Sequence, residues 1–221
     1  NRQDNRLNRQ LRTLFFQGDV GEIFPHLDHA DKGSWDIGFA VGRQPLNFQD
    51  GMLINDAADS VGVTRNTIIP HGGTNLQITG LYGWQGLHGS NNAARANVEV
   101  FGAVTTADIG RSSFNGEFFF VHDRAGQDDG AYWAVSRTRR FGHLNTTMRV
   151  LGSYALHAAV RPTVPIVDTG HLMFAEFSRT PAWTHDLFYV NTFAAVGDFT
   201  SVSRAPGTGG PSRESVDTRL R

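Results

Sequence analysis

Residues 35–51 read Trp-Asp-Ile-Gly-Phe-Ala-Val-Gly-Arg-Gln-Pro-Leu-Asn-Phe-Gln-Asp-Gly. In an extended chain successive side chains point to opposite faces. Trp35, Ile37, Phe39 and Val41 therefore share one surface, and Asp36, Gly38, Ala40 and Gly42 share the other. The first surface is uniformly large and apolar. The second is small or polar, as a face needs to be where it borders a crowded, hydrated interior.

The same division recurs along the chain. In residues 75–85, Leu76, Ile78, Gly80, Tyr82 and Trp84 oppose Asn75, Gln77, Thr79, Leu81, Gly83 and Gln85. Residues 95–104 set Ala96, Val98, Val100, Gly102 and Val104 against Arg95, Asn97, Glu99, Phe101 and Ala103. Residues 113–122 set Phe114, Gly116, Phe118 and Phe120 against Ser113, Asn115, Glu117 and Phe119. The pattern holds again over 131–138 and 144–157, where Trp133, Val135, Met148 and Val150 oppose Tyr132, Ser136, Thr147 and Arg149. Residues 171–179 and 183–196 are strand-like with mixed parity, and no faces are assigned to them.

Between these runs GSNNAA, GRSS, AGQDDG and FGH read as the short connections that join neighbouring antiparallel strands, so the strand order is a meander. A further strand is expected around Leu11–Phe16 and a loop over 18–33. Strands and loops fill residues 1–196. Residues 197–221, rich in Ser, Arg, Gly and Pro without periodicity, read as a polar mobile loop or terminus outside the core.

Composition narrows the class. The chain of 221 residues has a formal net charge of -1, so bulk electrostatics gives no reason to expect a nucleic-acid partner. It has no Cys, which excludes disulfides, zinc-thiolate sites and a thiol nucleophile and fits an exported bacterial protein. No apolar run reaches the length of about 18 to 20 residues that a transmembrane helix needs. The opening NRQDNRLNRQ lacks the layout of a signal peptide, so the chain reads as mature, trimmed or internal to a longer one.

Alternation alone also fits a soluble β-sandwich, whose strands pack on one face and meet water on the other. The polar face distinguishes the two. It carries Asn, Gln, Ser, Thr and Gly with few charges, and the chain has a single lysine, Lys32. The runs are also long enough to cross a hydrocarbon layer, which takes about 9 to 11 tilted residues against roughly 5 to 6 in most soluble strands. Trp35, Tyr82, Trp84, Trp133, Tyr154 and Trp183 gather near run ends, where interfacial aromatic girdles are expected. The expected fold is all-β, an antiparallel transmembrane β-barrel of meander order.

Residues 42–68, GRQPLNFQDGMLINDAADSVGVTRNTI, resemble the outer-membrane porins of the alginate-export-like group. Gly42, Arg43, Gln44, Phe48, Asp50 and Gly51 carry the resemblance. It implies a segment that bends toward the lumen after the Gly-Arg-Gln strand, with Arg43 beside a constriction. The chain ends in Thr-Arg-Leu-Arg where a complete barrel of this kind closes on an aromatic residue, so it is expected to be part of a larger barrel.

The expected function is passage of hydrophilic solutes through the bacterial outer membrane, by size exclusion and lumen charge, with no catalysis, cofactor or metal. The pore-lining or constriction residues are Arg43, Gln44, Asp50, Asp56, Arg65, Arg95, Glu99, Glu117 and Arg149. Opposed arginines and carboxylates, with Asp36 and Arg140 among them, either set up a transverse field or brace the wall. Expected partners are the lipid bilayer, an unidentified hydrophilic solute, and a second protein or further copies of the chain. The alternatives are a barrel that sheathes or scaffolds a partner, and a soluble ligand-binding sandwich.

Other constellations are weaker. His26, Asp28, His29 and Asp31 read as a rim loop before a metal site, Gln127–Gly130 as a hairpin turn before a calcium loop, and Gly207–Gly210 lacks the Lys-Ser or Lys-Thr of a phosphate loop. No nucleophile elbow is present.

Overall fold

The computed structural model describes residues 12–27, 35–68, 75–124, 128–156, 167–184 and 186–206. Among them a single 11-stranded sheet contains every strand. Its order is β1 (Leu14–Asp19), β2 (Ile37–Phe48), β3 (Ile54–Ile68), β4 (Asn75–Gln85), β5 (Val98–Ile109), β6 (Ser112–Asp123), β7 (Gly130–Phe141), β8 (Leu144–Ala155), β9 (Gly170–Arg179) and β10 (Phe188–Gly197), each paired antiparallel with the next. The short β11 (Ser203–Arg204) pairs parallel with β3. The meander is therefore present, and the sheet is not closed: β1 and β10 are its free edges.

Among the described residues helical structure is limited to the connection after β1. Helix α1 (Val20–Ile23) is capped by Asp19, whose carboxylate accepts from the Gly21 and Glu22 amides, and a 3-10 turn follows at Pro25–Leu27. No helix of the described residues is long and apolar enough to cross a membrane. The His26–Asp31 cluster lies only partly in the described residues, which end at Leu27 and resume at Trp35.

The sheet curls. In a flat sheet β3 and β10 would lie about 34 Å apart, seven intervals of about 4.8 Å. Yet the chain leaving β10 at Gly197 reaches β3 within six residues, where Val202 N–H donates to Leu53 O and Ser203 pairs with Ile54. The turn between β2 and β3 likewise reaches across the interior to β6, β7 and β8.

Curling gives the sheet an inner face. On β3 the even positions Ile54, Asp56, Ala58, Ser60 and Gly62 are buried and the odd ones less so. Through the ladder this face continues as Phe48, Leu46 and Gln44 on β2, Leu81 and Thr79 on β4, Val100 and Gly102 on β5, Phe119 and Glu117 on β6, Tyr132 and Ala134 on β7, and Leu151 and Arg149 on β8. Gly102 faces Phe119 in register, and a Cβ there would stand 2.4 Å from the Phe119 ring, so the glycine makes room for the phenyl group.

The apolar part of the inner face is concentrated at one end. Leu46, Ile54, Val98, Val100, Phe119, Val121, Tyr132, Leu151 and Leu172 from the strands close around Leu53, Leu87, Val167, Phe199 and Val202 from the connections. The Phe48 and Phe119 rings lie 5.2 Å apart within this cluster. Residues 198–206 cross it as a strap. The opposite end has the two-residue turns Gly110–Arg111 and Gly142–His143, with Gly110 and Gly142 at positive φ (62° and 59°) in the first turn position.

Three expectations change. Residues 198–206 are ordered against the sheet, and 199 and 201–204 are buried, with Phe199 at 4 % and Val202 at 3 % exposure; two apolar residues among polar ones suffice to anchor a segment whose backbone finds partners on β3. The rest of the expected tail, 207–221, lies outside the described residues. In β5 the faces are exchanged: Val98 and Val100 are inside, while Glu99 and Phe101 face out. Finally, the chain does not leave the wall directly after the Gly-Arg-Gln stretch: pairing with β3 continues through Pro45, opposite Ala57, to Phe48. Among the described residues the β1 ladder stops at Arg43, and Pro45 has no strand partner on that side, where proline is tolerated.

Candidate functional site

The polar residues of the inner face form cross-strand pairs. Gln44 Nε2 donates to Ser60 Oγ at 2.8 Å, Thr64 and Thr79 share a hydrogen bond of 2.9 Å, and Thr138 and Thr147 one of 3.2 Å. Asn66 donates to Asp36 at 3.1 Å and accepts from Gln77 at 2.6 Å. These amides and hydroxyls keep spare lone pairs and N–H groups for water or a polar solute. A cavity of about 380 Å³ opens beside them, lined by Gln17, Gln44, Asn66 and Gln77 and floored by Leu46, Phe48 and Leu81.

At the boundary between this polar region and the apolar cluster stands the β2–β3 turn. Gln49 (φ 54°), Asp50 (φ 52°) and Gly51 (φ 82°) take the left-handed conformation in succession, which Asp and Gly tolerate best. The reversal sends Gln49 inward, where Nε2 donates to Glu117 Oε1 at 3.0 Å and Ser136 Oγ at 3.4 Å. Asp50 forms an ion pair with Arg149, whose guanidinium also lies 5.3 Å from the centre of the Phe174 ring. Asn115 donates to Ser136, and Glu117 Oε2 is buried without a protein partner. A carboxylate, an ion pair and three neutral polar groups thus converge from β6, β7, β8 and one turn.

Four of the expected pore-lining residues belong to this inner surface: Gln44, Asp50, Glu117 and Arg149. Asp56 is also inward but is sealed, its side chain 1 % exposed. It accepts from the His88 amide at 2.9 Å, contacts His88 Nδ1 at 3.0 Å and accepts from Ser203 Oγ. Ser203 meets the carboxylate directly and the His88 backbone at 2.8 Å, so the cluster fastens the strap to β3 and the β4–β5 connection. This ordering differs from a Ser-His-Asp relay, in which the imidazole stands between hydroxyl and carboxylate. Arg95 is buried in the same connection, 3.5 Å from Asp123 and 3.4 Å from the Asp128 carbonyl.

Arg43, Arg65 and Glu99 are corrected to the outward face. Arg43 lies opposite Asp59 in register and forms a 3.6 Å ion pair with it. Arg65 shares its row with Ile37 and Ile78. Glu99 accepts from the Tyr82 hydroxyl at 2.5 Å and pairs with Arg124, in the turn after β6, whose guanidinium pKa rises through that hydrogen bond and charge. Parity explains all three: each lies an even number of residues from an outward apolar group, Val41, Val63 and Phe101 respectively. In the strap, burial lowers the pKa of Arg204.

Gln49, His88 and Ser203 were not expected at the interior. The Asp50-Gly51 turn signal pointed toward Gln49, whereas nothing local in the sequence marks His88 or Ser203. The outward face itself is apolar over its middle: Val41, Val63, Ile78, Phe101, Phe118, Val135, Met148 and Met173 are each more than 40 % exposed. Comparison with protein-family models, curated proteins and solved structures found no match to the chain.

Proposed function

We propose that this sheet is the wall of an outer-membrane β-barrel and that the barrel acts as a channel for hydrophilic solutes. The observation that carries the reading is the outward apolar belt, in which Phe118 is 52 % exposed, Met148 54 % and Val135 51 % on adjacent strands. Exposed apolar patches of this extent mark a partner or a membrane. The pairing of an apolar exterior with a row of inward Asn, Gln, Ser and Thr is the arrangement of a membrane barrel. A sandwich would need a second sheet over the belt, and the described strands all belong to one sheet.

In a bilayer, open strand edges are not viable because their N–H and C=O groups find no water. The β1 and β10 edges are therefore completed by further strands in this reading. Their residues suit this: Leu14, Phe16, Val190, Phe193 and Val196 are all at least 58 % exposed. In the completed barrel the strap and its apolar cluster fill one side of the lumen, and Asp50, Arg149 and Glu117 border the passage. Their charges and the amides beyond them select polar solutes. The same two edges favour the second reading, a barrel that sheathes or scaffolds another protein.

Recordings in planar bilayers test the channel. Full-length chain that enters detergent and runs heat-modifiably on a gel is expected to give discrete conductance steps, and Arg149→Ala is expected to shift ion selectivity toward cations. A chain that inserts but never conducts would reject the channel in favour of the sheath. A chain that stays in the aqueous phase would reject the membrane altogether.

A further inference from the structure

The two rims of the outward face differ in charge. Among the described strand residues on this face, the only carboxylates are Asp59 and Glu99. Both stand near the strap end, and both are paired, with Arg43 and Arg124. At the opposite rim, near the two-residue turns, the described strand residues on the outward face include arginines and no acid; Asp108 there is on the inward parity, and Asp186 lies in the β9–β10 connection. Arg137 and Arg139 alternate outward along β7, and Arg179 ends β9. Phe114, Phe141 and Phe177 stand among them.

We infer that this rim binds the phosphate groups of anionic phospholipids through Arg137, Arg139 and Arg179, an inference that rests on the membrane reading above. The Arg137 and Arg139 guanidinium groups are held with donors to spare. Arg137 Nε and Nη2 both lie 3.3 Å from Ser112 Oγ, and its Cζ lies 5.5 Å from the Phe114 ring centre. Arg139 stacks 4.4 Å over the Phe141 ring, and its Nε is buried without a protein partner. Arg179 is exposed. A guanidinium has five N–H donors in a fork that matches phosphate oxygens, so each of the first two arginines keeps at least three.

Position agrees with charge. Thr146 lies in register with both Arg139 and Phe177, and Arg179 follows two residues later. With strands about 4.8 Å apart and about 3.4 Å per residue, the Cα atoms of Arg139 and Arg179 stand roughly 12 Å apart, within the reach of two long side chains to one or two headgroups. The apolar belt ends at this level, and aromatic residues such as Phe141 and Phe177, 50 % and 37 % exposed, occupy the depth at which headgroups begin. Water-facing arginines in a soluble protein would have no reason to exclude acids from the same face.

The test is native mass spectrometry of the full chain from detergent micelles doped with phosphatidylglycerol or phosphatidylcholine, scoring lipid retained on the folded protein. Wild type is expected to retain phosphatidylglycerol over phosphatidylcholine. Arg137→Gln/Arg139→Gln/Arg179→Gln is expected to lose that preference, by about fivefold for each arginine removed. Arg43→Gln/Arg124→Gln, at the other rim, is expected to keep it. If the triple variant lacks the heat-modifiable band, Arg179→Gln alone is scored in its place. Equal retention by wild type and variant in inserted protein would overturn the lipid site and leave the barrel standing, while a chain that never enters micelles overturns both.

Discussion

The inner apolar cluster and the outward belt are made of the same kinds of residue, yet one is finished by the protein and the other is not. Phe119 and Phe118 are neighbours on β6; the first is 0 % exposed and the second 52 %. Phe119 has Phe48, Gly102 and the strap around it, all parts of this chain. Among the described residues Phe118 has its register partners Ala103 and Trp133 at its sides and keeps half of its surface exposed. Hydrophobicity alone does not locate the core of this protein. A residue belongs to the core where the curled sheet, the turn at 49–53 and the strap converge.

Truncating the two rings has the most unequal effect expected. Phe119→Ala is expected to cost about 3 to 5 kcal/mol, because it removes a packed ring and leaves a cavity. Phe118→Ala is expected to cost far less in detergent. Urea unfolding of the two variants measures the difference, and similar losses would mean that the outward face is covered by something the described residues do not include.

Charge at the same site gives the next effect. Phe118→Arg is expected to cost about 2 to 4 kcal/mol in a bilayer if the position lies near the midplane, and to remain within about 0.5 kcal/mol if water bathes that face. Folding equilibria in lipid vesicles read this directly. A negligible cost would turn the belt into an ordinary exposed surface.

Ser203→Ala sharpens the inner side. It removes one donor from the buried Asp56 carboxylate and is expected to cost about 1 to 3 kcal/mol. Faster hydrogen exchange at the Val202 and Ala205 amides, which donate to Leu53 and Asn55, would locate the loss in the strap. Unchanged exchange there would show that the apolar anchors Phe199 and Val202 hold the strap alone.

The smallest effect is expected at Arg43→Ala. Its ion pair with Asp59 is partly exposed, and such pairs contribute about 0 to 1 kcal/mol. Since Arg43 faces outward, single-channel conductance is expected to be unchanged. A clear change in selectivity would return Arg43 to the lumen.

Much of the sheet was legible because alternation is a local property. The run 75–85 coincides with β4, and the inward and outward residues of β2, β6, β7 and β8 follow their parity. β5 misled because each of its faces carries large apolar residues: Val98 and Val100 enter the cluster and Phe101 faces out, while the charge of Glu99 suggested a lumen and is instead paired at the rim with Arg124 and hydrogen-bonded by Tyr82. Arg43 misled for a related reason, since the resemblance suggested a constriction where parity alone would have placed it beside Val41.

Most of the strands, their antiparallel order and the faces of β2, β4, β6, β7 and β8 were already in the amino-acid sequence, because a period of two and a Gly- or Asp-marked turn need only neighbouring residues. Tertiary structure alone decided which apolar residues form a core. It did so by bringing Gln49 to Glu117, Asp50 to Arg149 and Ser203 to Asp56, contacts separated by 68, 99 and 147 residues. Contacts of that span depend on the curl of the whole sheet, and no window of sequence contains both partners.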